Sequence, residues 1–168
     1  MRENRIFSFG DRRSASAWVP ISDVVMGGVS VGHMESAAGG YAAFTGRVSF
    51  ENDGGFASVR SEIGLYDLGT YEGLMLRVRG DGKRYKLNLR TDERFDGIVY
   101  QTRFGTVPSE WIEVRIPFGD FFPAFRGIRV NDAPPLDTRR IRSFGLLISD
   151  RQEGPFRLEI AWLSAYTA

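Results

Sequence analysis

Cysteine is absent from the 168 residues. That excludes disulfides, thiolate zinc sites, iron–sulfur ligation and cysteine nucleophiles, and leaves only oxygen-rich metal sites open. Histidine occurs once, as His33, so any serine–histidine triad would have to use it. Lysine is nearly missing: Lys83 and Lys86 are the two among 22 basic residues, and the other 20 are arginine. Charge of one sign is missing as well, because 22 basic against 21 acidic residues gives a formal net charge of +1. Such a chain has no global field to recruit nucleic acid or an anionic membrane. No apolar run approaches the roughly 20 residues needed to cross a bilayer. The opening MRENRIFSFGDRRSASAW lacks the apolar stretch of a secretory signal, and Glu3 and Asp11 oppose a transit-peptide reading. The expectation is a cytoplasmic protein without a transmembrane segment.

What the sequence has instead is short alternation of apolar and polar residues. Phe44, Val48 and Phe50, Leu74, Leu76 and Val78, and Tyr85, Leu87 and Leu89 each mark one face of a half-buried strand. So do Ile98, Tyr100 and Phe104, then Ile112, Val114 and Ile116, then Phe156, Leu158, Ile160 and Trp162. Turn clusters such as Asn52-Asp53-Gly54-Gly55, Asp96-Gly97 and Val107-Pro108-Ser109 separate them. Gly80-Asp81-Gly82-Lys83 predicts a hairpin joining 74–79 to 84–90. The nearly continuous apolar run 144–149 predicts a central strand covered on both faces. Residues 118–140, with four Phe and three Pro and no clean period, predict a long connection capping the sandwich edge with its Phe side chains as a plug. No stretch keeps helical periodicity. The fold class expected is all-β, a two-sheet antiparallel sandwich of jelly-roll type, formed by residues 1–168 as one domain.

Chemistry-bearing constellations are sparse. The Gly-rich stretch 27–33 lacks the Lys and Ser/Thr that must follow the last glycine of a phosphate-binding loop; His33 and Met34 stand there instead. No helix follows it to build a dinucleotide site. Glu51, Asp53, Asp92, Asp96, Asp120 and Asp150 lie beside glycines or at strand ends, where turn-forming carboxylates are ordinary. A glycoside hydrolase would need two of them facing each other at about 5–9.5 Å. Glu51-Asn52-Asp53 offers oxygens to a loop calcium, without the spacing of an EF-hand. No cofactor, metal ligand set or catalytic residue is assigned, and the expectation is a protein that binds rather than catalyses.

Strand alternation aligns a polar set on the face opposite the apolar one: Arg77 and Arg79, then Lys86, Asn88 and Arg90, then Gln101 and Arg103, then Trp111, Glu113 and Arg115. If these strands are neighbours they form one polar sheet surface. Fork-shaped donors, amides and an aromatic ring suit an acidic protein patch or a sugar. The alternative is a solvated outer face laced with ion pairs, and strand order decides between them.

Several phrases, taken in order, resemble a known family. They are Ser22-Asp23-Val24-Val25-Met26-Gly27-Gly28-Val29-Ser30, Gly54-Gly55-Phe56-Ala57-Ser58-Val59-Arg60, and Gly73-Leu74 through Arg79-Gly80-Asp81-Gly82 with Tyr85. Leu89-Arg90-Thr91-Asp92, Tyr100-Gln101, Trp111 before Ile116-Pro117-Phe118, and Gly145 through Asp150 before Gly154-Pro155-Phe156 continue the match. Over about residues 17–166 the chain resembles the complex I intermediate-associated protein 30 family. The resemblance implies a galactose-binding-like sandwich and a non-enzymatic role in assembling respiratory complex I, with complex I subunits or assembly intermediates as partners and contact with the inner membrane only through them. A carbohydrate-binding module is the second reading. In the matched segments Asp23 would order an early loop, while Arg60, Arg90 and Asp150 at strand ends suit either an ion-pair network or a ligand pocket. The candidate binding residues are therefore Asp23, Arg60, Lys86, Asn88, Arg90, Gln101, Arg103, Trp111 and Asp150.

Overall fold

The computed structural model describes residues 1–22, 30–51, 55–94 and 96–168. Asp23, and the loop positions Asn52 and Asp53 considered for calcium, lie outside the described residues. The described residues form thirteen strands: β1 (Arg2–Ser8), β2 (Trp18–Ser22), β3 (Val31–Ala37), β4 (Tyr41–Val48), β5 (Ala57–Ser61), β6 (Gly73–Arg79), β7 (Arg84–Arg90), β8 (Val99–Gly105), β9 (Trp111–Pro117), β10 (Phe122–Phe125), β11 (Ile128–Arg129), β12 (Ser143–Ile148) and β13 (Gly154–Thr167). One short helix, α1 (Arg12–Ser16), has Asp11 as its N-cap, accepting from the Ser14 N–H at 2.8 Å.

The strands form two antiparallel sheets. The front sheet runs β11-β10-β8-β7-β12-β5-β2; the back sheet runs β3-β4-β13-β6-β9, with β1 also paired to β13. β13 spans 14 residues and serves β4 along its first half and β1 along its second. Between the sheets, Phe44, Leu74, Leu76, Val78, Leu158 and Ile160 from the back meet Tyr85, Leu87, Leu89, Phe144, Leu146 and Ile148 from the front in one apolar core. The apolar face of nearly every strand named from the sequence faces this core, because a sandwich strand needs one buried side and the pleat supplies it with period two.

Four details depart from the sequence reading. Residues 74–79 and 84–90 do not form a hairpin: β6 pairs with β13 and β9, β7 with β12 and β8, so the turn carries the chain from one sheet to the other. Asp81 holds this crossing. Its carboxylate accepts from the buried Tyr85 hydroxyl at 3.0 Å and from the Arg157 N–H at 2.9 Å. Gly80 is required there, since an added Cβ would lie 2.2 Å from the Thr106 side chain. Second, β13 shifts register against β6 between Ile160 and Trp162. The bulge re-aims the strand, so Leu163 and Ala165 enter the core in place of Trp162.

Third, β12 is central in its sheet but covered on one face only. Phe144, Leu146 and Ile148 point into the core, while Gly145 and Leu147 line an open groove. Fourth, residues 118–140 contain a small hairpin, β10–β11, at the front-sheet edge rather than an irregular connection. Phe121 from this stretch enters the core, whereas Phe125 remains exposed at the hairpin turn. The turn Phe125-Arg126-Gly127-Ile128 places both central residues at positive φ, 49° and 81°, as a two-residue hairpin with right-handed strand twist demands.

Candidate functional site

The outward face of the front sheet carries a groove of about 470 Å³. Register explains its composition. Gly145 on β12 pairs with Arg60 on one side and Asn88 on the other, and Asn88 pairs with Gln101, so these four form one row across the sheet. One step along, Ser58, Leu147, Lys86 and Arg103 form the next row. On the other side of the first row, Ser143 pairs with Arg90. The depression exists because β12 presents Ser143 and Gly145 where neighbouring strands present long side chains. A Cβ on Gly145 would stand 3.2 Å from the Val59 carbonyl oxygen and 3.5 Å from the Asn88 Cβ.

Among the described residues, Arg60, Lys86, Arg90 and Arg126 line the groove with one carboxylate, Asp96. Asp96 is engaged by the Arg126 guanidinium, which lowers its pKa despite the opposing effect of burial. Burial pushes the Arg60 guanidinium down to about 10, with repulsion from Arg90 adding to it. Burial also lowers Arg90, against the pull of Asp92 and Asp96. Arg90 Nη1 is buried and has no hydrogen-bond partner among the described residues. Gln101 Nε2 donates to Asn88 Oδ1 at 2.8 Å.

At the rim, Asp150 ties two strands together. Lys86 Nζ lies 3.2 Å from Asp150 Oδ1 and donates to Ser149 Oγ at 2.8 Å, while Arg103 Nε donates to Asp150 Oδ2 at 3.1 Å. Burial tends to raise the Asp150 carboxyl, and the bonds from Arg103 and Lys86 outweigh it, leaving it below its usual value. Neither Asp96 nor Asp150 has the raised pKa of a glycosidase acid.

Of the sequence candidates, Arg60, Lys86, Asn88, Arg90 and Gln101 line the groove, and Arg103 and Asp150 pair beside it. Trp111 is elsewhere. It lies on β9 of the back sheet, its ring 5.4 Å from Tyr41 and under the guanidinium groups of Arg79 at 4.9 Å and Arg77 at 5.5 Å. The single polar surface expected from alternation is thus two surfaces on opposite sides of the sandwich. Arg77, Arg79, Trp111, Glu113 and Arg115 belong to the back, because β6 and β9 pair with each other and never with β7 or β8.

Gly145, Leu147, Asp96 and Arg126 line the groove without having been among the candidate binding residues. The first two were legible as the outward-facing alternates of a strand taken to be covered on both sides. The sequence reading took the chain to hold no nucleophile elbow, and that is corrected here: Gly28-Val29-Ser30-Val31-Gly32 has the spacing. Ser30 leads into strand β3, not a helix; it is buried, donating to the Ser49 carbonyl at 3.0 Å and accepting from the Ser49 N–H at 2.9 Å. His33 is exposed and lies 3.3 Å from Thr45 Oγ1.

Solved structures with this architecture include a family 11 carbohydrate-binding module of the cellulase Lic26A-Cel5E of Clostridium thermocellum. Its TM-score is 0.74 at 15% identity, covering 100% of this chain and 96% of that one. The same kind of module in complex with a β-1,3-1,4-mixed-linked tetrasaccharide superposes at a TM-score of 0.73 with 15% identity, over 99% and 96% of the two chains. At such identity the likeness establishes the galactose-binding-like sandwich.

Sequence relatives are nearer. Complex I intermediate-associated protein 30, mitochondrial, of Mus musculus is 31% identical over 96% of this chain and 56% of its own length. The Drosophila melanogaster protein of the same name is also 31% identical, over 94% of this chain and 61% of its own length. The chain therefore spans less than two thirds of these relatives. The pattern of the complex I intermediate-associated protein 30 family matches residues 7–160, from β1 to the middle of β13 and across every strand that builds the groove, and the chain belongs to that family.

Proposed function

We propose that this chain is a non-enzymatic binding module that holds a protein partner in the front-sheet groove during assembly of respiratory complex I. The observation that carries the reading is the groove itself: a floor left open at Gly145 on β12 and flanked by desolvated arginines, one with a buried donor that has no partner among the described residues. Family membership supplies the partner class, since the mouse and fly relatives carry the name of complex I intermediates. No helix among the described residues is long and apolar enough to cross a membrane.

Affinity capture from gently solubilised native cells tests this. Wild type is expected to enrich complex I subunits, and an Arg90→Ala, Arg103→Ala double variant with an unchanged unfolding midpoint is expected to lose them. Loss on Trp111→Ala instead would move the partner surface to the back sheet. Absence of complex I subunits from the wild-type capture would defeat the assembly reading. The carbohydrate reading has one specific support, the solved tetrasaccharide complex of a module with this fold. Against it, no Trp or Tyr among the described residues lines the groove, whose aromatic lining is Phe56 and Phe144. Titration with mixed-linked glucan oligosaccharides separates the two.

A further inference from the structure

A sandwich leaves strand edges, and an open edge offers its N–H and C=O groups to another chain unless something blunts it. Four edges here are blunted. β11 is two residues long, β2 carries Pro20 at its centre, β1 breaks its register against β13 between Arg5 and Phe7, and β3 is packed against α1 and β2. β9 has none of these devices. It pairs with β6 without a shift from Trp111–Arg79 to Pro117–Gly73, and its other side pairs with no strand among the described residues. Ile112 and Val114 point inward yet stay partly exposed, whereas Leu74, Leu76 and Val78 on β6 are fully buried. The core is therefore open to solvent along this edge.

We propose that β9 pairs edge to edge with β9 of a second copy of this chain, antiparallel and centred on Val114. The strand is complementary to its own reversal about that residue. On the inner face Val114 meets Val114 of the second copy and Ile112 meets its Ile116; on the outer face Glu113 meets its Arg115 and Trp111 meets its Pro117, each twice by symmetry. Both charges are available for this. Glu113 is 52% exposed and stands 3.8 Å from Arg77, beyond hydrogen-bond reach. Arg115 is exposed, lying over the Tyr166 ring and against Met1 Sδ, with no ion pair among the described residues. Register is fixed by the same residues. A slip of two sets Glu113 against Glu113 or Arg115 against Arg115, and a slip of one sets inner against outer side chains. The pairing joins two back sheets into one with the two-fold axis normal to it, so both front-sheet grooves open on the same side. The contact itself is separate from the groove and does not depend on what the groove holds.

Sedimentation equilibrium of the full chain over a wide concentration range tests this. One strand pair buries little surface, so the mass is expected to rise from 18.9 kDa toward twice that value with a dissociation constant on the order of 10 µM. Glu113→Arg alone, or Arg115→Glu alone, sets like charges opposite each other and is expected to weaken the dimer about tenfold or more. Mixing the two variants in equal amounts is expected to restore it, because position 113 of each then faces the opposite charge at position 115 of the other. Wild type that stays monomeric throughout overturns the proposal. So does a dimer that survives in both single variants, or one that mixing does not restore. Deuterium exchange of wild type needs no variant: the β9 amides that face away from β6 are expected to slow as concentration rises, and exchange that ignores concentration removes β9 from the contact. Protection of those amides that appears only on adding captured complex I subunits would give the edge to the assembly partner and overturn the second copy as its occupant.

Discussion

The two outer faces of the sandwich are both rich in arginine, yet the side chains are used in opposite ways. On the back sheet the guanidinium groups of Arg5, Arg79, Arg115 and Arg157 have company. Arg79 donates to Glu159 at 2.6 Å and Arg157 donates to the same carboxylate at 3.1 Å. Arg5 lies 4.3 Å over the Trp162 ring and Arg115 lies 5.1 Å over Tyr166. On the front sheet Arg90 keeps a buried donor without a partner, and Arg60 is pushed down to about 10 by burial and by Arg90. Satisfied arginines stabilise the molecule; a buried donor without an acceptor, as on Arg90, costs stability until something completes it. Composition cannot distinguish the two, and pairing can.

The contrast breaks most visibly at Glu159. This nearly buried carboxylate is held at about 2 by the Arg79 hydrogen bonds, with Tyr41 and Arg157 adding to them and burial opposing. Glu159→Gln leaves Arg79 and Arg157 without their counter-charge and is expected to lower stability by about 2–3 kcal/mol. A depressed folded pKa means the contribution is complete above the ordinary value of 4.5 and disappears as pH falls from there through about 2. Urea midpoints measured across that window should fall more steeply with acid for wild type than for Glu159→Gln, and parallel curves would show that the back-sheet cluster does not stabilise the fold.

Strand positions were legible because a half-buried strand repeats every two residues, and Tyr85, Leu87, Leu89 or Leu74, Leu76, Val78 need no distant information. Sheet membership was not. Gly80-Asp81-Gly82 is as compatible with a crossing as with a hairpin, and the choice is made by Tyr85 and Arg157 donating to Asp81, contacts invisible along the chain. For the same reason Trp111 joined the wrong surface: its outward direction was predictable, its sheet was not. Within a strand the site was readable, so Lys86, Asn88 and Arg90 do face one side. Across strands it was not, and Gly145, which makes the groove, looked like part of a buried apolar run.

At Arg90 the expected stability effect is smaller. Arg90→Met keeps the length of the side chain while removing a desolvated charge beside Arg60. Replacing a buried charge with a well-packed apolar residue is often neutral or favourable, so the urea midpoint is expected to move by no more than about 1 kcal/mol, toward greater stability. Partner capture should be lost all the same. A loss of several kcal/mol on Arg90→Met would make this arginine structural and erase the difference between the two faces.

Arg103 sharpens the comparison at its weakest point. Its side chain is 55% exposed, and its 3.1 Å bond to Asp150 sits in water, where an ion pair contributes little. Asp150 would still be held by the buried Lys86, so Arg103→Ala is expected to change stability by less than about 0.5 kcal/mol. Its effect should appear in association instead. A rim cation steers an acidic partner toward the groove, so the variant should bind more slowly, by a few-fold at low salt, with its dissociation rate nearly unchanged and the difference shrinking as salt is added. Surface-plasmon kinetics of the captured partner at two ionic strengths read this directly. A faster dissociation rate that ignores salt would place Arg103 in the contact itself and extend the groove beyond Asp150 to the end of β8.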